Sequence, residues 1–305
     1  MKLHYLVLTG LALSGVAQAA DIGTYKKPTP VPVIENDLYF GSIGAGASVI
    51  DSPSQKGLKS ATVPYLNVNG KFTYMLAPRG WGAQVDANFA GLSTDWIDPK
   101  VRHASSAFIY GGALHLFSRA VTDAKIGGFF QFDQHDVNAR QTTSLTMPGY
   151  VGGLEAQYAL NHNLLLRARA SLGSHELRGN GNAMTLRSYT GGLGVTYRFD
   201  RNWRLGADLN VSAIRASVQG TRGGFTFLET GVFGEYRLSQ LPLSLRADVS
   251  YLHYYDDKFI SARHIGLNGM RATLGVRYEF GGSRQRPRDI VDDQFQTYNV
   301  LAGLR

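Results

Sequence analysis

The residues best suited to chemistry in this sequence are charged side chains that recur at every second position of many short segments. Arginines that line a pore select anions, and nearby carboxylates pair with them. The basic members are Arg167, Arg169, Arg198, Arg204, Arg237, Arg246, Arg271 and Arg277. The acidic members are Asp86, Asp133, Glu155, Asp208, Glu229, Glu235, Asp248 and Glu279. Since alternation puts them on one face of each segment, we expect all of them to line one interior.

Two roles are open for this charged set. Charges inside a narrow lumen must pair, so the set can form a ladder of salt bridges that fills the interior. The charges are also unevenly distributed. With Lys71 and Lys125 included, two basic and three acidic members precede Leu160, whereas eight basic and five acidic members follow it. One wall is therefore more basic, which predicts a preference for anions.

Enzyme signatures are weak. A hydrolase acting on membrane lipid needs a nucleophile and a base that both face the lipid, and the clearest outward registers contain neither serine nor histidine. Ser174, His175 and Glu176 are adjacent in what we predict to be a long outer loop, where neighbouring side chains point in different directions. We expect no catalytic residue and no enzymatic activity.

A metal or cofactor site is not indicated either. His253, Asp256, Asp257 and His264 share one predicted loop, but their spacing matches no common metal site. The sequence contains no phosphate-binding glycine loop, nucleotide motif or CxxC pair. We expect no cofactor and no metal.

The elements that position the charged set are predicted by a period of two residues. In the segment 81–89, Trp81, Val85 and Phe89 fall on one face, whereas Gln84 and Asp86 fall on the other. Such a strand has one apolar and one polar face. Either a soluble sandwich or a membrane barrel uses strands of this kind.

About twelve segments repeat the pattern. The clear ones are 81–89, 164–172, 189–199, 203–211, 243–251 and 270–280, and the weaker ones are 38–50, 61–76, 105–117, 124–133, 149–159 and 226–238. Asn69-Gly70 is a hairpin signal, but a turn there would leave two pieces too short to span a membrane. We predict an all-β protein, a transmembrane antiparallel up-and-down β-barrel of about 12 strands over residues 38–280.

Connectors and aromatic residues favour the membrane over a soluble sandwich. Short connectors (77–80, 160–163, 200–202 and 239–242) alternate with predicted long ones (92–104, 134–148, 174–188 and 252–268). Aromatic residues cluster at both ends of the apolar face, about eight residues apart, as in the girdles of outer-membrane barrels. Short turns face the periplasm in such barrels, so we expect the N-terminus on that side.

The N-terminus carries an export signal. Lys2 precedes an apolar stretch over 6–16, and Ala17-Gln18-Ala19 has small residues where a signal peptidase cleaves, so residues 1–19 are predicted to be a signal peptide. Residues 20–37, with three prolines, are predicted to be a periplasmic leader. The chain lacks cysteine, which suits a protein that crosses an oxidising compartment unfolded.

The C-terminus extends past the predicted closing strand, which ends at Phe280. Residues 281–293 are polar and charged, and 298–304 alternate again without a final aromatic. We predict a periplasmic tail over 281–305, with a plug or an additional strand as the alternative.

Two stretches resemble the opening of a known family. Gly44-Ala-Gly-Ala-Ser-Val-Ile-Asp-Ser-Pro-Ser-Gln-Lys-Gly57 and Val63-Pro-Tyr-Leu-Asn-Val68 are similar to the start of MipA/OmpV barrels, and the resemblance covers residues 38–89. It implies an outer-membrane scaffold that contacts murein-processing enzymes, or a barrel for small solutes, without catalytic residues.

The sequence thus predicts an outer-membrane barrel that acts as a narrow passive channel for small, preferentially anionic solutes. A scaffold of MipA/OmpV type is the alternative, and a lipid-modifying enzyme comes last. The expected partners are outer-membrane lipids and lipopolysaccharide, and periplasmic envelope enzymes through the tail. The formal charge of +8 is scattered and contains no basic run, so nucleic acid is not expected as a partner.

Overall fold

A computed structural model describes residues 38–52, 61–76, 80–93, 106–119, 121–139, 143–179, 182–218, 221–239, 241–256, 268–281 and 290–296. In these residues the chain forms twelve strands and one short 3₁₀ turn, Ile290–Asp292. The strands are β1 (Tyr39–Ser52), β2 (Ala61–Met75), β3 (Trp81–Ser93), β4 (Ser106–Ser118), β5 (Ala124–Ala139), β6 (Thr143–Ala159), β7 (Leu164–Gly179), β8 (Asn182–Arg198), β9 (Trp203–Val218), β10 (Thr221–Arg237), β11 (Leu243–Asp256) and β12 (Gly269–Gly281). The predicted signal peptide and leader lie outside the described residues.

The strands form one closed barrel in which each strand pairs antiparallel with the next, and β12 pairs with β1. Closure leaves no edge strand with unpaired backbone groups, as a lipid environment requires. Strand β2 runs through Asn69-Gly70 without a turn, because Gly70 pairs with Ile43 on one side and Ala87 on the other. The predicted twelve-stranded barrel and its closing strand, which contains Phe280, are confirmed.

The outer surface of the barrel is apolar between two bands of aromatic side chains. Leu154 and Leu274 are each 70% exposed, and such wide apolar exposure suits contact with lipid rather than water. The exposed aromatics near the short turns are Tyr39, Tyr74, Trp81, Tyr158, Trp203 and Tyr278. Those towards the opposite end are Phe89, Phe108, Tyr110, Tyr150, Tyr189 and Tyr251. No helix in the described residues is long and apolar enough to cross a membrane.

The connectors at the end opposite the short turns are shorter than the sequence predicts in two places. The segments 134–148 and 174–188, expected to be long loops, are mostly strand, since β5 ends at Ala139 and β8 begins at Asn182. Alternation continues through both segments, and strand pairing extends to their tips. Strands β5 to β10 therefore have 16 or 17 residues each, more than the roughly 9–11 needed to span a bilayer.

The inward face changes character along the barrel axis. In the middle it is polar, as predicted, but towards the ends of β8 to β10 away from the short turns the inward positions become apolar. There, Leu186, Ile214, Ala216 and Phe227 are buried against one another, with Met147 and Met184 beside them. The sequence predicted a wet polar lumen throughout, and this apolar cluster corrects that expectation for one end.

Residues 290–296 lie inside the barrel at the short-turn end. Within these seven residues, Ile290, Val291 and Phe295 are each at most 2% exposed. The segment contacts side chains of β1 to β5 and β7 to β9, which only a position in the lumen permits. Gly281 has a φ of 72°, a backbone conformation that glycine adopts without strain, where the chain leaves β12. For the described part of the tail, these contacts favour the plug alternative over a free periplasmic tail.

Candidate anion site in the lumen

The structure places the charged residues predicted from the sequence on the inward face of the barrel wall. Seven of the predicted carboxylates pair with a basic residue on the same strand, on the next strand or two strands away, namely Asp86, Glu155, Asp208, Glu229, Glu235, Asp248 and Glu279. Arg167 Nη2 lies 2.9 Å from Asp208 Oδ1, and Arg237 Nη2 lies 2.8 Å from Glu279 Oε2. Deeper in the lumen, Arg271 pairs with fully buried Glu229. Such buried pairs are costly to break, so they hold the wall side chains in defined positions.

A further set of ion pairs surrounds Glu235 near the short turns. Its Oε2 lies 3.3 Å from Arg277 Nη1 and 3.9 Å from Arg246 Nη1. Arg246 Nη2 also lies 2.8 Å from Asp248 Oδ1, and its guanidinium carbon lies 4.0 Å from the centre of the Phe233 ring. Two arginines therefore share the Glu235 carboxylate, and Asp248 supplies a second carboxylate to Arg246, so these four groups balance in charge.

Glycines on β8 make room for two of these arginines. Gly192 and Gly194 face the lumen beside β7, where a Cβ on Gly194 would lie 2.3 Å from Asp208 Oδ1 and 3.1 Å from Arg167 Nε. A Cβ on Gly192 would lie 3.3 Å from the Arg169 side chain. Because Gly192 and Gly194 have no side chains, Arg167 and Arg169 of β7 can extend across β8.

Six basic side chains of the wall and its turns hold the segment 290–296. They are Lys71, Arg119, Lys125, Arg169, Arg198 and Arg204. Their partners are all oxygen atoms of the segment, either carboxylates or backbone carbonyls. Lys71 donates to the Phe295 carbonyl at 2.6 Å, and Lys125 donates to the Asp293 carbonyl at 2.5 Å. The segment therefore offers oxygen atoms to the basic side chains of the wall, as an anionic ligand would.

The two carboxylates of the segment contact opposite parts of the wall. Asp292 pairs with Arg119, which follows β4. Asp293 lies between β8 and β9, with its carboxylate 3.6 Å from Arg198 Nη2 and 3.2 Å from Arg204 Nη1. The segment thus supplies carboxylate partners to arginines on two sides of the lumen.

The Phe295 ring lies in a pocket formed by aromatic and cationic side chains. Its ring stacks on His115 with 5.8 Å between centroids and meets Phe117 edge-on at 5.6 Å. The Lys125 ammonium lies 4.1 Å from the ring centroid, within the range of a cation–π interaction. His115 is fixed by Glu155, 2.6 Å from its Nδ1, and by Asp86, 3.3 Å from its Nε2. Buried charged side chains therefore hold this pocket in position.

A cavity of about 340 Å³ lies beside the segment and opens among the short turns, since Asn202, Ser239 and Pro242 contribute to its lining. Its basic lining residues are Lys71, Arg167, Arg198, Arg201, Arg204, Arg237, Arg246 and Arg277. Its acidic ones are Glu235, Glu279 and Asp293. Eight basic residues line the cavity against three acidic ones, and Asp86, Asp208 and Asp248 pair with Lys71, Arg167 and Arg246 behind the lining. An excess of two positive charges therefore remains, which suits an anionic ligand.

The segment changes the charge balance that the strands predict. The sequence indicated a surplus of positive charge along the wall that begins after Leu160. Asp293 offsets part of this surplus by pairing with Arg198 and Arg204, whereas Asp292 pairs with Arg119, which precedes Leu160. The remaining excess is concentrated at the cavity instead of spread along the lumen.

Several functional residues are not apparent from the sequence. His115 lies on a weaker strand, although the outward Leu114 and Leu116 on either side of it are a signal for its inward position. Arg119 follows a strand end, and Asp292 and Asp293 belong to a tail without strand periodicity. No signal in the sequence relates that tail to the lumen, because the contacts join residues more than 80 positions apart.

The histidine clusters that the sequence singled out have different positions from those expected. Ser174, His175 and Glu176 lie within β7 and not in a loop; His175 is buried in the lumen, whereas Ser174 and Glu176 point outward. A serine and a histidine on opposite faces of one strand cannot form a catalytic pair with each other. His253 lies on β11, while Asp257 and His264 lie outside the described residues. In the described part of the chain, no group of three or more histidine or acidic side chains is arranged to hold a metal ion.

Known structures share the fold. The translocator domain of the autotransporter NalP from Neisseria meningitidis has a TM-score of 0.53 at 12% identity, covering 90% of this chain and 96% of that one. The toluene transporter TodX from Pseudomonas putida has a TM-score of 0.46 at 10% identity, covering 80% and 89% of the two chains. At this low identity, the likeness to the NalP domain shows the fold alone, that of an outer-membrane β-barrel.

Sequence comparison gives no family. No protein-family model matches the chain, and no curated protein matches its sequence. The resemblance to MipA/OmpV barrels therefore depends on residues 44–57 and 63–68 alone.

Proposed function

We propose that this protein is a bacterial outer-membrane barrel that admits small anionic solutes through a gated lumen. The observation that carries the proposal is the cavity of about 340 Å³ at the short-turn end, with its eight basic and three acidic lining residues. Fixed positive charge in a confined space raises the local concentration of anions. Guanidinium groups also bind carboxylate and phosphate through paired hydrogen bonds, so small acids are the solutes that fit.

The channel in this proposal is gated and not permanently open. Residues 290–296 occupy the lumen at the short-turn end. Passage of a solute through that end requires this segment to move. Its described contacts with the wall are hydrogen bonds, ion pairs and ring contacts, which a competing solute can replace.

Placement in the outer membrane fits the outward face. The apolar surface between the aromatic bands suits lipid, and the short turns then face the periplasm. At the opposite end, outward Arg187 and Arg215 are direct cross-strand partners and both are exposed. Two arginines side by side at the level of the headgroups suit the phosphates of lipopolysaccharide, the lipid partner that we propose.

The scaffold alternative has less structural support in its original form. That hypothesis used the tail as a docking segment for periplasmic enzymes, but residues 290–296 are buried in the lumen. A partner would first have to extract them. Our proposal also includes no catalytic step, consistent with the divergent positions of Ser174 and His175 on β7.

Planar-bilayer recording tests the proposal. We expect the full chain to conduct rarely, and a variant lacking residues 284–305 to conduct steadily with a reversal potential that shows anion preference under a salt gradient. In the deletion variant, Arg167→Gln with Arg277→Gln should reduce this preference, because both arginines line the cavity. The matched control, Arg187→Gln, removes an outward arginine and should leave the reversal potential unchanged. A folded deletion variant that never conducts, or that conducts without preference, would refute the proposal.

A further inference from the structure

We infer that the cations holding residues 290–296 form a binding site for a small multivalent anion, and that the segment is a built-in ligand which occupies this site in the closed state. The ligand class that we assign is a small dicarboxylate, with succinate as the probe. The inference rests on the proposed function and deepens it, because it names the solute class and makes the solute itself the agent that displaces the gate.

The first argument comes from the chemistry of the contacts. All the basic side chains that hold the segment meet oxygen atoms, as a bound organic acid would offer them. Asp293 is the clearest case, since its carboxylate lies within 3.6 Å of both Arg198 and Arg204. A free carboxylate could take the same place with the same two partners.

The second argument is position. Arg198 and Arg204 hold Asp293, and they also line the open cavity. Asp293, Gln294 and Gln296 of the segment line that cavity too. A solute that enters from the short turns therefore arrives beside the carboxylate with which it competes, and exchange needs no prior opening of the barrel.

The third argument concerns valence. The two carboxylates of the segment are on adjacent residues and reach different arginines, with Asp292 on Arg119 and Asp293 on Arg198 and Arg204. Removing both would take the carboxylates of the segment away from these guanidinium groups, and breaking such pairs is costly. One chloride compensates one cation, whereas a dicarboxylate compensates two sites at once. Multivalent anions should therefore displace the segment more effectively than chloride at equal ionic strength.

Thiol labelling of the segment reports its displacement. The chain contains no cysteine, so Val291→Cys introduces a single thiol at a position that is 1% exposed when the segment is seated. Ser212→Cys is the matched control, because Ser212 is fully buried in the wall, away from the segment. The full-length protein, folded in detergent or vesicles, is treated with a small maleimide in chloride, succinate or inorganic phosphate at one ionic strength.

We expect succinate to raise the labelling rate of Val291→Cys about tenfold over chloride, the scale of change expected when charge-assisted hydrogen bonds are exchanged. Labelling of Ser212→Cys should stay slow, which excludes general unfolding. Adding Asp293→Asn should raise the rate in chloride alone, since the competing carboxylate is gone. If phosphate but not succinate accelerates labelling, the site is one for inorganic phosphate and the dicarboxylate assignment is overturned.

The outcomes separate this inference from the proposed function. If the deletion variant conducts with anion preference but Val291→Cys labelling is the same in chloride, succinate and phosphate, the channel stands and the built-in ligand is refuted. If labelling responds to succinate but the deletion variant does not conduct, an anion site exists and the channel is refuted.

Discussion

Phe295→Ala should release the segment 290–296 from the lumen, and the size of this shift follows from the contacts of the Phe295 ring. Phe295 is 2% exposed, stacks on His115 and meets Phe117 edge-on. Burial of a phenylalanine side chain contributes about 2–3 kcal/mol. The Lys125 ammonium at 4.1 Å adds about 0.5–1 kcal/mol more. Loss of the ring thus costs about 3 kcal/mol, a factor of about 150 in the equilibrium between the seated and the displaced segment.

The assay combines labelling with conductance. In the Val291→Cys background, Phe295→Ala should raise the maleimide labelling rate by about two orders of magnitude, if opening and closing are fast relative to the reaction. In planar bilayers the same change should raise the fraction of time spent conducting. Phe199→Ala is the control, since Phe199 follows β8 and is 45% exposed on the outside. Unchanged labelling in a heat-modifiable, folded Phe295→Ala variant would refute the reasoning, because the ring would then contribute nothing to the binding of the segment in the lumen.

Three further predictions concern the wall and its orientation. Glu229→Gln should lower the free energy of unfolding in urea by about 3–5 kcal/mol, because it takes the carboxylate partner from buried Arg271. Glu176→Gln, in an exposed ion pair, should change the free energy of unfolding by less than about 1 kcal/mol. Similar losses in the two variants would mean that the lumen is wet. Leu209→Arg on the lipid face should lower the free energy of unfolding by about 2–4 kcal/mol. Ser217→Arg, on the same face of β9 but beyond the aromatic band, should lower it by about 0–1 kcal/mol. Equal unfolding midpoints for the two variants would show that the register is wrong. An impermeant thiol reagent should label Glu176→Cys but not Asn163→Cys on intact cells, and the reverse pattern would invert the barrel.

The local pattern of the sequence determined most of the barrel. Alternation with a period of two residues depends only on neighbouring positions, so segments such as 203–211 and 270–280 reveal both their strand character and their inward side chains. The same logic placed Arg167, Arg246 and Glu235 in the lumen, where the structure has them. Counting these segments also predicted about twelve strands, an even number, as is usual for single-chain bacterial barrels.

Strand ends were less well predicted than strand positions. Segments 134–148 and 174–188 contain turn-forming and polar residues, which favoured loops. In the structure the described residues of these segments, 134–139, 143–148, 174–179 and 182–188, are paired on the extension of the barrel beyond the apolar band. Pairing between neighbouring strands overrides local propensity there, and it moves His175 from a solvated loop into the buried lumen.

The closure of the lumen was decided by tertiary structure alone. Residues 290–296 have no periodicity that relates them to the barrel, and their partners are as far away in sequence as Ser42 and Lys71. A segment of seven residues gains its position only when the wall has closed around it, because its contacts come from eight different strands. The sequence therefore determined which charges line the interior, and the three-dimensional arrangement decided that the chain's own carboxylates occupy some of them.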